Sequence, residues 1–245
     1  MKGTTDLPIR FDARRVVMSL TAVAALLLVA HLTLVAITVV TGHDSVFGLV
    51  RLFDLDLENN IPSFFSGGLF LLNALLLWMV GHVPAQRHRS SVWTVLAVVF
   101  VFLANDEMFG IHERLVEPLR AMLHTTGVLH FPWFIVYAGP VLVLAIWFLP
   151  TWRCLETPAR VTLMVSASLY LFGAVGMEMI GGAYADAFGQ TRSLTWGLLV
   201  AVEESLEMAG LITLVHALLT MLTSSTSEAP VASIALPSAI STERA

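Results

Sequence analysis

Six stretches of the chain are apolar for about the 20 residues that an α-helix needs to cross a bilayer's hydrocarbon core. They run over 16–41, 61–81, 91–112, 132–150, 160–182 and 195–222. Short polar segments separate them. Pro62, just after Asn59 and Asn60, is a helix-start signal, and Pro158 falls just before the fifth run. The first run follows Arg14 and Arg15 but is far longer than the 7–15 apolar residues of a secretory signal, and no small-residue cleavage site ends it. It reads as a retained span. The pattern therefore predicts an all-α, polytopic integral membrane protein, a bundle of six transmembrane helices over 16–222. Residues 1–15 form an N-terminal segment, and the stretch 223–245, rich in Ser, Thr, Ala and Pro, reads as a disordered tail.

Composition agrees. The chain is 57% hydrophobic and 13% charged, with a mean hydropathy of +0.81; a soluble domain of this length needs a more polar exterior, so the excess apolar surface faces lipid. The net charge of −5 and the lack of a basic run give no sign of nucleic-acid binding. The lone Cys154 excludes an internal disulfide. Lys and Arg set the orientation. With the N-terminus inside, Lys2, Arg10, Arg14, Arg15, Arg87, Arg89, Arg153 and Arg160 share one side, against Arg51, Arg114, Arg120 and Arg192 on the other. This bias predicts a multi-pass plasma (inner) membrane protein with both termini cytoplasmic and with 42–60, 113–131 and 183–194 external. Six spans also divide into three plus three, and an odd number per half would make the halves inverted.

The charged residues within spans carry the functional information. Span three holds Asn105, Asp106 and Glu107 and ends at His112, with Glu113 next; span five holds Glu178, and span six holds Glu203, Glu204 and Glu207. An Asp at a helix centre opposes insertion by about 2.5–3.5 kcal/mol, so these acids together oppose it by roughly 10 kcal/mol or more. Protons, a bound cation or a water-filled cavity must offset that cost. At the 1.5 Å rise of a helix, Asp106 lies about 22 Å into span three and Glu178 about 27 Å into span five. Glu203 and Glu207 lie about 12 and 18 Å below the outer surface by the same rise. Asp106, Glu178 and Glu203 fall in the outer half of a core about 30 Å thick, with Glu207 close to its midplane, and His31 reaches the same layer. Helices of opposite direction thus bring their acids to one level.

Continuing span three as one helix to residue 112 and beyond nearly eclipses Asp106 and Glu113, puts Asn105 and His112 on an adjoining stripe, and turns Glu107 away from His112. Glu107 is then expected to pair with Arg114 or to stand behind the ligands. The tetrapeptide Glu-Met-x-Gly occurs three times, at Glu107–Gly110, Glu178–Gly181 and Glu207–Gly210. A glycine near the face of each Glu predicts that spans three, five and six pack closely around converging carboxylates.

Carboxylates with one or two imidazoles suit iron or manganese better than zinc or copper. Asp106, His112, Glu113, Glu178, Glu203, Glu204 and Glu207 are the candidate ligands of a mononuclear or dinuclear centre, iron or manganese before zinc. His31, Asn105, Glu107 and Arg114 are the weaker, supporting candidates. The two Glu-x-x-His pairs of di-iron bundles are absent, so that analogy extends only to ligand type. Phosphate-cradling glycine loops and the G-x-S-x-G elbow are absent too, leaving no nucleotide or flavin signal. The expected function is metal-supported redox or hydrolytic chemistry on a lipid or small apolar molecule, in an oligomer or a monomer within the lipid bilayer. The competing class is a proton- or cation-coupled transporter using the same acids. The plainest alternative is that protonated carboxyls hydrogen-bond between helices and hold the bundle together.

Overall fold

The computed structural model describes residues 12–43, 45–189 and 193–227, and every regular element among them is helical. The helices are α1 (Ala13–Thr41), α2 (Leu49–Phe53), α3 (Ile61–His82), α4 (Ser90–Phe109), α5 (Glu113–Leu123), α6 (Phe134–Arg153), α7 (Thr157–Leu171), α8 (Glu178–Phe188) and α9 (Leu194–Ser227). A π-helical turn, Phe172–Met177, joins α7 to α8 in one span. Among the described residues six helices are long and apolar enough to cross a membrane: Ala13–Thr41, Ile61–His82, Pro84–Phe109, Phe134–Arg153, Thr157–Phe188 and Leu194–Ser224. The helix α9 continues through Ser227, so the first five residues of the stretch read as tail are helical. Residues 228–245 and 1–11 lie outside the described residues, as do Lys2, Arg10 and Arg192 of the charge count.

Local chemistry sets the helix ends. Asp12 caps α1 by accepting from the backbone N–H groups of Arg14 and Arg15, and Gly42 closes that helix in the left-handed region. At α3, Asn60 and Ser63 form a reciprocal capping box with Pro62 in the first turn.

The second and sixth spans, α3 and α9, form the centre of the bundle, with about half of each apolar window buried. Lipid tails are as apolar as leucine, so close packing and interhelical hydrogen bonds hold such helices together. Small residues provide the close approaches. A Cβ on Gly81 would lie 2.8 Å from the Trp93 Cβ, and one on Gly197 would lie 2.7 Å from a Val35 methyl. The fully buried Asn73 donates to the carbonyls of Leu69 on its own helix and Leu211 on α9. Apolar clusters fill the space around it: Phe70, Ala104, Met208 and Ile212 on one side, and Leu77, Trp93, Val215 and Leu218 on the other. The outlier is α6, with only 6% of its apolar window buried.

The three Glu-Met-x-Gly segments do not meet through their glycines. Gly110 ends α4 with φ of 58°. The nearest atoms to a Cβ on Gly181 belong to the Trp196 ring, at 3.8 Å. Only Gly210 sits in a tight helix crossing, where a Cβ would stand 2.7 Å from the Tyr170 backbone nitrogen and 3.0 Å from the Ser166 carbonyl oxygen. Span three packs along span two instead, with Met108 laid over Gly67. One spacing serves a helix stop, a loose contact and a close crossing, because the environment of each glycine depends on a different neighbour.

Candidate functional site: a carboxylate-lined cavity

The site begins where α4 stops. Gly110 takes the left-handed conformation that glycine tolerates best, and the chain folds back over the last turn of the helix. That return lets the His112 backbone N–H donate to Asp106 Oδ1 at 2.8 Å and sets the His112 ring Nδ1 3.3 Å from the same oxygen. The Tyr137 hydroxyl donates to Asp106 Oδ2 at 3.1 Å. Trp133 lies against the His112 ring, with centroids 4.8 Å apart, and edge-on to Tyr137. Asp106 is therefore an oriented carboxylate, nearly buried, with both oxygens engaged.

The early stop overturns the single-helix reading of 91–113. Glu107 does not turn away from His112; His112 and Asp106 are its electrostatic neighbours. Arg114 is exposed and donates to the Phe109 carbonyl at 3.3 Å, and no Glu107–Arg114 ion pair forms. Asn105 is exposed as well and donates to the Val101 carbonyl of its own helix.

The opposite wall comes from span five and α9. The π-helical turn lies directly on the acidic face of α9: a Cβ on Gly173 would stand 2.8 Å from the Glu207 Cγ and 2.9 Å from the Glu203 carbonyl oxygen. Turns of this kind interrupt α-helices mostly as single-turn insertions, frequently at functional sites. Just beyond it, Glu178 faces Glu203. Glu204 neighbours Glu207, Glu107, Glu58 and Asp56.

Together these groups line a cavity of about 460 Å³. All seven of the sequence-derived ligand candidates (Asp106, His112, Glu113, Glu178, Glu203, Glu204 and Glu207) line it, and so does Glu107. The other wall is apolar, with Leu103 of α4, Val141, Leu142 and Ala145 of α6, and Leu171 and Val175 of span five. The cavity thus has an acidic end and an oily side.

Two acids absent from the sequence-derived site also line it, Asp56 and Glu58, carried inward by the loop before α3. The Asp54, Asp56, Glu58 alternation just ahead of the Asn60 cap was the signal available for them. Trp196 Nε1 donates to Asp56 Oδ2 at 3.0 Å. Asp56 keeps exposed surface, but that surface opens into this cavity and into a second one of about 370 Å³ that shares Asp56, Glu113 and Trp196 as walls. Protein therefore replaces much of its water. Burial pushes the Asp56 carboxyl up to about 7, against the Trp196 bond and helped by Asp54 and Glu113. Burial also pushes Glu58 up to about 8, with the Glu107 charge adding to it and His112 opposing it. Its Oε2 is buried without a hydrogen-bond partner. For His112, burial favours the neutral ring, but the hydrogen bond to Asp106 and the charges of Asp106, Glu107 and Glu113 outweigh it and raise the imidazole to about 9. His112 is an imidazolium at neutral pH.

His31 belongs to the second cavity and acts as a tie. Its Nδ1 accepts from the Leu55 backbone N–H at 3.1 Å, which leaves the proton on Nε2, 3.2 Å from the Gly197 carbonyl that it donates to. Asp54 Oδ1 also lies 3.3 Å from Nδ1; the backbone donor decides the tautomer, since an N–H cannot accept. The buried ring joins α1, α9 and the acidic loop, and so holds Asp56 and Glu58 in place.

Nine carboxyl groups and one imidazole line the main cavity, and no Lys or Arg does so among the described residues. No group of three or more His, Cys, Asp or Glu side chains among the described residues is already gathered around one metal position. Fold and cavity define a six-span α-helical membrane protein with an acidic chamber at one end of the bundle. The chain belongs to the family described as a domain of unknown function (DUF8692), whose model matches residues 20–222. No curated protein and no solved structure matches it.

Proposed function

We propose that this protein binds a metal ion, iron or manganese in first place and zinc after them, on the carboxylates of the chamber. The metal then supports redox or hydrolytic chemistry on a lipid or small apolar molecule lying along the oily wall. The observation that carries this reading is the charge imbalance: nine carboxyl groups, one imidazole and no Lys or Arg line the cavity among the described residues. Ionised carboxylates at close quarters in a low-dielectric setting must take up protons or a cation. Glu107 and Glu207 act electrostatically on Glu204, and Glu178 with Glu203 forms a hydrogen-bonded pair, so the chamber offers several oxygen donors to an ion. The chamber, at about 460 Å³, exceeds what an ion alone occupies and is within the range of ligand pockets. A bound metal would supply Lewis acidity or an activated water there.

A second reading, a proton- or cation-coupled transporter, draws support from the adjoining cavity, which offers a polar approach to the cluster past Asp56 and Trp196. Elemental analysis of wild type and Glu207→Gln, purified side by side without added metal or chelator, separates the two. The metal reading expects near-stoichiometric iron or manganese in wild type and a large loss in the variant, because an amide oxygen is a neutral and weaker ligand. Less than about a tenth of an equivalent of any transition metal in wild type would overturn it.

The Lys/Arg bias supports a topology with both termini cytoplasmic and the chamber toward the outer face, in a plasma (inner) membrane setting. Single-cysteine labelling tests this: with Cys154 replaced, Ser45→Cys and Ser193→Cys should react with an impermeant maleimide on intact cells. Reaction only after permeabilisation would reverse the orientation.

A further inference from the structure

At the end of the bundle away from the chamber, α6 and α7 part company after the Cys154–Glu156 turn, because α7 packs on α9. The parting leaves a cleft of about 440 Å³. One wall is a single face of α7, with Thr157, Arg160, Val161, Met164, Val165 and Leu169 at helical spacing, and Trp152 of α6 closes its polar end. Val161, Met164 and Val165 are among the most exposed large apolar residues of the helix.

The polar end is built around Arg160. Its guanidinium donates to Thr157 Oγ1 at 2.9 Å and lies 5.8 Å from the centroid of the Trp152 ring. The Trp152 indole N–H in turn donates to the Arg160 carbonyl at 3.3 Å. The Arg160 Nε is buried and has no hydrogen-bond partner. No carboxylate forms an ion pair with Arg160 among the described residues, although Glu156 precedes the helix. Arg153 and Arg89, the latter bonded to Cys154 Sγ at 3.0 Å, add positive charge at the same end. From Arg160 the apolar stripe runs to Ser168, about 12 Å along the span.

We propose that this cleft binds one anionic phospholipid, its phosphate on Arg160 beside Trp152 and Thr157 and one acyl chain along Val161, Met164 and Val165. A partner for this face must be anionic at the helix end and apolar over the next turns, inside a span. A membrane lipid of negative headgroup meets all of those requirements, and basic pockets between helices at a membrane surface bind such headgroups. The arginine fork gives the phosphate a geometry that a lysine would not. The bound lipid also fills a gap that helix packing leaves open beside α6, the least buried span.

The full-length protein, stripped of lipid in detergent, is titrated with phosphatidylglycerol, with phosphatidylcholine of the same chains, and with inorganic phosphate. Native mass spectrometry counts bound lipid and thermal unfolding reports its effect. Phosphatidylglycerol should bind at one per chain, about tenfold more tightly than phosphatidylcholine, whose phosphate is the same but whose choline ammonium is repelled by Arg160, Arg153 and Arg89. Inorganic phosphate should not raise the melting temperature. Arg160→Gln should abolish the preference while melting, lipid-free, like wild type; Arg160→Lys should keep part of it. Val165→Trp should weaken both lipids by occupying the chain groove. Equal binding of the two lipids by wild type, a full phosphatidylglycerol preference in Arg160→Gln, or a phosphate effect matching that of phosphatidylglycerol would each overturn the proposal. So would a wild-type dimer that Val165→Trp dissociates, since the cleft would then seat a second copy of the chain.

Discussion

Gly210→Ala should destabilise the protein in detergent by about 2–3 kcal/mol, the upper end of the cost of overpacking, and Gly210→Leu by more. The single added carbon would lie 2.7 Å from the Tyr170 backbone nitrogen, 2.8 Å from its Cβ and 3.0 Å from the Ser166 carbonyl oxygen. Two of these are backbone atoms of α7, which cannot move aside as a side-chain tip can. Separation of the helices would also break the bond from Ser166 Oγ to the Gly210 carbonyl, 2.8 Å long. Gly68→Ala is the control: nothing lies within 4 Å of a Cβ there, and alanine in a helix interior should help by about 0.5–1 kcal/mol. Gly48 would mislead as a control, since its φ of 83° penalises any side chain even in open space. Chemical or thermal unfolding of the variants provides the comparison. A Gly210→Ala protein as stable as wild type would mean that α7 and α9 do not cross this closely.

The second large effect is of pH on the metal-free protein, which should be less stable at pH 8.5 than at pH 5.5. Glu58 is raised from 4.5 to about 8 and Asp56 from 3.8 to about 7. Below the ordinary carboxyl value both folded and unfolded chains hold these protons, and the stability is complete. Between the ordinary and raised values only the folded chain holds them, so stability falls as pH rises through that window. His112, raised from 6.5 to about 9, acts with the same sign, because its folded form also keeps a proton that the unfolded chain has released. Unfolding temperatures measured across this range should decline, and Glu58→Gln should flatten the decline. Added manganese should act oppositely, stabilising most at high pH, where protons no longer compete for the oxygens. A metal-free protein whose stability is flat or rises from pH 5.5 to 8.5 would contradict the protonated chamber described here.

The length and placement of the spans were legible in the linear chain because crossing a bilayer is a local demand. Twenty apolar residues satisfy it whatever surrounds them, and the Asn60–Pro62 start and the acid-bearing depth of α4, α8 and α9 follow from short-range chemistry and a constant rise. The same arithmetic brought Asp106, Glu178, Glu203 and Glu207 toward one level, and all seven candidate ligands line one chamber. It failed at Gly110, where one left-handed residue ends α4, returns His112 to Asp106 and sends Arg114 outward, so that a helical wheel drawn through residue 113 mispairs Glu107. It also left Asp56 and Glu58 in an external loop, because their path inward depends on His31 of α1 and Trp196 of α9, contacts 24 and 140 residues distant in sequence. The π-helical turn before Glu178 lies against α9, and neither it nor the marginal position of α6 can be read from hydropathy. Hydropathy and spacing are properties of neighbours along the chain. The convergence of carboxylates into a chamber is a property of neighbours across it, and only tertiary packing determines those.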